Sequence, residues 1–196
     1  MATKPVTIKE QRVLAGYGWD EYPRKNSVGL LDGLRGKYDF GVDCDGAAIL
    51  LGADGKPIAQ EPEAACVWYK NGTLLDGAVV HNGDGRTGME AGDDETILID
   101  LAKLPENVAA ILFTVDVFKD ERKKFSLHRL ENAFFRLTDP DTLAELVHTA
   151  LHPKRSEARI MATGKLVRTE GGWEFRPAEV VFPKETASLG DAIRAL

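Results

Sequence analysis

Apolar and polar residues alternate along much of the chain, in short runs separated by turn-forming residues. Residues 96–101 alternate in this way, and residues 131–137 and 109–118, Ala-Ala-Ile-Leu-Phe-Thr-Val-Asp-Val-Phe, are apolar runs of strand length. A period of two indicates β-strands that bury one face. The same criteria predict strands at residues 12–19, 38–52, 66–69, 78–81, 158–169 and 173–182.

Many short strands joined by close turns, without regular alternation of strand and helix, predict an all-β sandwich with a short C-terminal helix. Residues 139–152 are ambiguous, because leucines at 143, 146 and 151 could also form an amphipathic helix. A length of 196 residues suits one domain. We therefore predict an N-terminal lead at 1–11, a sandwich domain at 12–182 and a C-terminal tail at 183–196.

Residues 84–95 form the least apolar stretch, and they join two predicted strands at one end of a sheet. The stretch contains five carboxylates and three glycines. Asp93, Asp94 and Glu95 are consecutive, so a folded chain holds them together mainly where a cation or several backbone donors neutralise them. Calcium, which prefers oxygen ligands, is the first candidate. The stretch is not an EF-hand, because Met89 occupies the position where that motif needs glycine.

The overall charge of the chain is −6, but it is unevenly distributed. Residues 38–100 hold 13 Asp and Glu against 3 Lys and Arg. Such a segment attracts cations and repels phosphate backbones, so we expect no nucleic-acid partner there. Two cysteines suggest free thiols in a reducing compartment, and no signal peptide or membrane span is evident. We therefore expect a cytoplasmic protein.

A second pair of acids, Asp43 and Asp45, lies on one side of the predicted strand at 38–52, with Cys44 opposite. Loops at one end of a sandwich converge, so acids distant in sequence can share a cup that binds one or two calcium ions. The predicted ligands are Asp43, Asp45, Asn71, Asp84, Asp93, Asp94 and Glu95. The simpler alternatives are a solvated strand face for the first pair and a solvated hairpin tip for residues 84–95.

Three segments together resemble the TerD family of tellurium-resistance and stress proteins. They are Gly16-Tyr-Gly-Trp-Asp20, the run from Asp43 to Lys56, and the run from Asn82 to Glu95. The resemblance covers about residues 12–182. It implies a calcium-binding β-sandwich that acts in stress resistance with protein partners, some of them membrane-associated, and it implies a strand, not a helix, near residues 143–151. Gly85 and Lys70 depart from the family pattern, where asparagines are usual.

Two other functions are considered for the same residues. Paired carboxylates could serve as acid and base in a hydrolase acting on a glycan or phosphate, although the sequence shows no clear nucleophile and base. Cys44, Cys66 and His81 could form a zinc or redox site, although the chain lacks a Cys-x-x-Cys motif. The calcium-binding, non-catalytic hypothesis is preferred because it uses the whole acidic cluster.

Overall fold

The computed structural model describes residues 4–20, 42–83, 92–118, 126–152 and 157–196. Strands dominate these residues, with three short 3-10 turns at Pro62–Ala65, Leu75–Gly77 and Leu127–Arg129. The strands are β1 (Val6–Ile8), β2 (Arg12–Asp20), β3 (Cys44–Leu51), β4 (Cys66–Val67), β5 (Thr73–Leu74), β6 (Val79–His81), β7 (Glu95–Asp100), β8 (Ala110–Val117), β9 (Glu131–Thr138), β10 (Glu145–Ala150), β11 (Ile160–Thr169) and β12 (Gly172–Val181). One helix, α1 (Leu189–Arg194), follows them.

The strands form two six-stranded sheets, and each strand pair is antiparallel. Sheet 1 has the order β1-β12-β11-β8-β3-β4, and sheet 2 has the order β10-β9-β2-β7-β6-β5. The predicted all-β sandwich is therefore confirmed. Because β6 and β7 are paired, residues 82–94 connect neighbouring strands of sheet 2, as the sequence predicts.

Aromatic side chains from both sheets fill the space between them. The Phe135 ring lies 5.2 Å from that of Tyr17, 4.9 Å from that of Phe113 and 5.6 Å from that of Phe175. Buried aromatic rings contribute much of the apolar area of a core. The Tyr17 hydroxyl also donates to the carbonyl oxygen of Ala47 at 2.9 Å, which joins the two sheets directly.

A second apolar cluster covers the outer face of sheet 1, where α1 packs. Leu189 and Ile193 are buried there against Ile49 and Leu112. Ser188 caps the helix by accepting a hydrogen bond from the backbone of Asp191. Leu196 lies beyond the end of the helix and is 37% exposed. Sheet 1 is thus covered on both of its faces at this point.

Two parts of the structure differ from the pattern-based expectations. β1 lies inside the segment assigned to the N-terminal lead and pairs with β12, so part of that segment belongs to sheet 1. Residues 145–150 form a strand, as the family resemblance implies. Leu143 precedes this strand with a φ of 60° and is 75% exposed, so it does not contribute to an amphipathic helix. Pairing with β9 satisfies the backbone of this segment instead.

Candidate functional site

The predicted acids that the structure describes lie at one end of the sandwich, which we call the loop end; they are Asp43, Asp45, Asp93, Asp94 and Glu95. Strands β3, β7, β9 and β11 begin there, and β2 and β8 end there. Strand β7 brings Asp93 and Asp94 to this end, because both immediately precede its first residue, Glu95. The packing of sheet 1 against sheet 2 places the start of β3 beside the start of β7, and it therefore brings together acids that are about fifty residues apart in the sequence.

Asp93 lies on the outer face of sheet 2. Its carboxylate accepts two hydrogen bonds from Arg136, at 2.8 Å from Nε and 3.1 Å from Nη2. A two-point contact of this kind is the strongest geometry for an arginine and a carboxylate. The carboxylate also lies over Gly16, where an added Cβ would come within 2.4 Å of it. Glycine at position 16 therefore provides the space in which this ion pair sits.

Asp94 is held at the rim between the sheets by the end of β2. Its Oδ2 accepts a hydrogen bond from the backbone N–H of Trp19 at 2.9 Å, and its own N–H donates to the carbonyl oxygen of Tyr17 at 2.8 Å. The Trp19 indole in turn donates to the carbonyl oxygen of Val42. Trp19, at the end of β2, therefore contacts both Asp94 and Val42, which precedes β3.

Glu95 points inward between the sheets and is only 1% exposed. Its Oε2 accepts a hydrogen bond from the backbone N–H of Gly46 in the opposite sheet and lies 3.6 Å from Nε2 of His81. An added Cβ at Gly46 would lie 2.6 Å from the Tyr17 ring. Burial, and then the charge of Glu95, raise the pKa of the Tyr17 hydroxyl well above its ordinary value.

The pair Asp43 and Asp45 flanks Cys44, whose thiol is buried in the core. Burial raises the pKa of this thiol well above its ordinary value, and the charges of Asp43, Asp45, Glu95 and Asp116 raise it further. Four carboxylates therefore lie within electrostatic reach of one buried atom. Both cysteines are free thiols, as predicted. The alternation also holds, because Asp45 faces outward from sheet 1 while Cys44 faces the core.

Asp116 is a buried acid of the loop end that the sequence analysis did not identify. It lies directly opposite Asp45 in the pairing of β3 with β8 and accepts a hydrogen bond from Nη2 of Arg159 at 2.9 Å. Burial raises the pKa of the Asp116 carboxyl to about 6, against the lowering effect of Arg159. A signal was present in the sequence, since an acid interrupts the most apolar predicted strand.

The structure thus brings Asp43, Asp45, Asp94 and Glu95 to one end but directs their side chains differently. The amide nitrogen of Asn71 donates to the carbonyl oxygen of Cys66 at 3.0 Å and stabilises the turn after β4. Asp84 lies outside the described residues. Within the described part of the chain, no group of three or more His, Cys, Asp or Glu side chains is arranged to hold a metal ion.

The fold is an all-β sandwich, and several of its described acidic residues lie at one end. A family of known proteins matches this sequence. The TerD domain model matches residues 5–190. The chain therefore belongs to the TerD family of tellurium-resistance and stress-response proteins.

The chain is similar to several proteins of this family. It is 34% identical to tellurium resistance protein TerD of an Alcaligenes species, over 91% of this chain and 85% of the relative. It is 38% identical to tellurium resistance protein TerZ of Serratia marcescens, over 82% and 75%. It is 30% identical to stress response protein SCP2 of Bacillus subtilis (strain 168), over 84% and 79%. These relatives are named for resistance or stress response.

A solved structure confirms the fold. A homologue of telluride resistance protein TerD from Streptomyces coelicolor A3(2) superposes with a TM-score of 0.64 at 20% sequence identity, covering 88% of this chain and 90% of the other. Among the described residues, no helix has the length and apolar character needed to cross a membrane.

Proposed function

We propose that this chain is a non-catalytic stress-response protein in which calcium binds at the loop end and orders a surface that protein partners of a cytoplasmic resistance complex contact. The observation that carries the proposal is the convergence of Asp43, Asp45, Asp94 and Glu95 on the loop end, where backbone N–H groups of Trp19 and Gly46 hold Asp94 and Glu95. A bound divalent cation would reduce the repulsion among them.

Among the described residues of the loop end, acids outnumber cations. Arg159 contacts Asp116, and Arg136 contacts Asp93 on the other face. His81 lies beside Glu95 and adds a charge only when it is protonated. This preponderance of acids in the described part of the loop end supports a cation as the ligand.

The described acids supply only part of a calcium site. Calcium takes six to eight oxygen ligands, and the described residues contain no group of three suitable side chains. We assign Asp43 and Asp94 as the main calcium ligands among the described residues. Asp84 is a third ligand, assigned from the sequence. Asp93 and Asn71 make the intrachain bonds described above, so we expect them to matter less for binding.

A calcium titration tests the proposal. Protein stripped with a chelator is titrated by calorimetry, and its melting temperature is followed in parallel. Calcium at 100 times its dissociation constant should stabilise the fold by about 2.7 kcal/mol. We expect Asp94→Asn to weaken calcium binding about tenfold or more and Asp93→Asn to weaken it much less, because Arg136 already occupies that carboxylate.

Glu106→Gln is a matched control, since Glu106 is an exposed acid in the turn between β7 and β8 at the opposite end. This variant should bind calcium as the wild type does. Absence of a heat of binding and of a melting shift with millimolar calcium would refute calcium binding. An equal loss of affinity in Asp94→Asn and Glu106→Gln would refute the assignment to the loop end.

A further inference from the structure

A cavity of about 360 Å³ opens beside the loop end on the outer face of sheet 1, and among the predicted calcium ligands that the structure describes it is lined by Asp45. It lies between the turn after β4, the end of β8 and the start of α1. Its volume is near the lower end of the range for small-molecule pockets, which suits a single side chain or a small amine. We call it the side pocket.

Acids form the floor of the side pocket. Asp45 and Asp116 line it, are 6% and 8% exposed, and occupy directly opposed positions on β3 and β8. Side chains so placed on one sheet face are about 5 Å apart. The guanidinium of Arg159 also bonds the carbonyl oxygens of Val117 and Ala187, so it is fixed in place. The floor therefore carries Asp45 and Asp116, with Arg159 held against Asp116.

Aromatic rings form the wall and rim of the side pocket. Trp68 is buried in the wall, whereas Tyr69 and Phe118 remain 40% and 43% exposed beside it. The Tyr69 ring packs edge-on against the Trp68 ring with centroids 5.1 Å apart. An aromatic rim over an acidic floor favours a ligand with an apolar stem and a positive end, because ring faces attract cations.

The chain's own Lys70 already shows this preference. Its ammonium lies 4.8 Å from the centroid of the Trp68 ring and 5.3 Å from that of Tyr69, and its charge acts on Asp116. Lys70 is exposed, and its side chain is a flexible stem that can leave the mouth of the pocket. An alkylammonium group is thus the chemistry that this surface attracts within the molecule.

We propose that the side pocket binds a primary alkylammonium group, supplied by a lysine side chain of a partner protein or by a free alkyl diamine, with Lys70 competing for the same position. Asp45 accepts from the ammonium, and the rings of Tyr69 and Trp68 contact its carbon stem. A metal ion suits this pocket less, because the described residues include no group of three ligands. The proposal does not depend on calcium binding.

The test uses the full chain with a chelator present throughout, so its outcome is separate from that of the calcium titration. Backbone amide chemical shifts of Lys70, Phe118 and Leu189 are followed while Nα-acetyl-lysine N-methylamide, putrescine or the uncharged norleucine analogue is added. Lys70→Gln should bind the lysine compound several-fold more tightly than wild type. Adding Asp45→Asn to that variant should weaken binding about tenfold, through loss of a charge-assisted hydrogen bond.

The norleucine analogue should produce no saturable shift, since it has the same stem without the charge. Tighter binding of putrescine than of the lysine compound would support a free diamine as the ligand, and the reverse would support a protein lysine. Glu106→Gln serves again as the control and should match the wild type. Lack of saturable shifts in a folded Lys70→Gln variant, or equal shifts with lysine and norleucine compounds, would overturn the proposal.

Discussion

The two ends of the sandwich treat their charged side chains in different ways. At the end opposite the loop end, Arg168 donates to the carbonyl oxygens of Leu104, Pro105 and Val108 and lies 4.5 Å from the centroid of the Trp173 ring. That single cation fastens the connection by which the chain crosses from β7 in sheet 2 to β8 in sheet 1. Its contacts are neutral acceptors and an aromatic face.

At the loop end, most buried charged side chains among the described residues are acids, and backbone N–H groups donate hydrogen bonds to some of them. Trp19 and Gly46 donate to Asp94 and Glu95, respectively. In the described part of the chain, the arginine at one end therefore contacts neutral groups, whereas the acids at the other end are held by backbone N–H groups and by Arg136 and Arg159. The difference is between a cation that closes one connection and acids that converge from several strands.

The largest effect should come from Glu95→Ala. The change leaves the Gly46 N–H without its acceptor and creates a cavity where the buried side chain was. We therefore expect the free energy of unfolding to fall by about 2–4 kcal/mol. Urea unfolding with chelator present measures it. Glu95→Gln keeps an acceptor and should lose less than half as much. A loss below about 0.5 kcal/mol for the alanine variant would contradict the structural role of Glu95.

The pH dependence of Asp116 should be nearly as large. Its folded-state pKa of about 6 lies above the ordinary value of 3.8. Its contribution to stability is therefore fully present below pH 3.8 and is lost as the pH rises through 6. At 1.36 kcal/mol per pH unit, the loss approaches about 3 kcal/mol.

Denaturant unfolding of wild type and Asp116→Asn between pH 4 and pH 7 measures this contribution. The wild type should lose stability relative to the variant across that range. A difference between the two proteins that stays constant with pH would show that Asp116 is not an acid with a raised pKa. The result bears on the comparison of the two ends, because it tests whether the loop end buries a carboxyl group deeply enough to raise its pKa.

Arg168→Ala should have a somewhat smaller effect, of about 2 kcal/mol, because three hydrogen bonds and the contact with Trp173 are lost while the carbonyl groups gain access to water. Arg176→Ala is the matched control. Arg176 lies on neighbouring β12, half-exposed and paired with Glu174, and should change stability by less than about 0.5 kcal/mol.

The stability lost in Arg168→Ala should also be the same with and without calcium. A calcium-dependent loss in this variant, measured by thermal unfolding under both conditions, would remove the distinction between the two ends.

Local patterns in the sequence were enough to predict most of the strands and the all-β sandwich. The alternation that identifies β7 also places Glu95 on the inward face with Ile97 and Ile99, all of them buried. Likewise, the alternation of Cys44 and Asp45 correctly predicts that they lie on opposite faces of sheet 1. These features depend on a period of two along one strand, which is local information.

The partners of the acids were not predictable in the same way. Arg136 is 43 residues from Asp93, and Arg159 is 43 residues from Asp116. Both pairs depend on which strands become neighbours and on their register, and neither is contained in the pattern of a single strand. The interpretation of residues 93–95 as one acidic cluster therefore missed that separate partners on separate faces hold each of them.

The different contacts of these three consecutive acids have a practical consequence for mutagenesis. Replacing Asp93, Asp94 and Glu95 together, the usual way to silence an acidic motif, would break an ion pair on one face, a rim contact and an inter-sheet hydrogen bond in a single step. A loss of function in such a variant would not reveal which of the three caused it. Single replacements of each acid are more informative, because each one removes a single contact: with Arg136, Trp19 or Gly46.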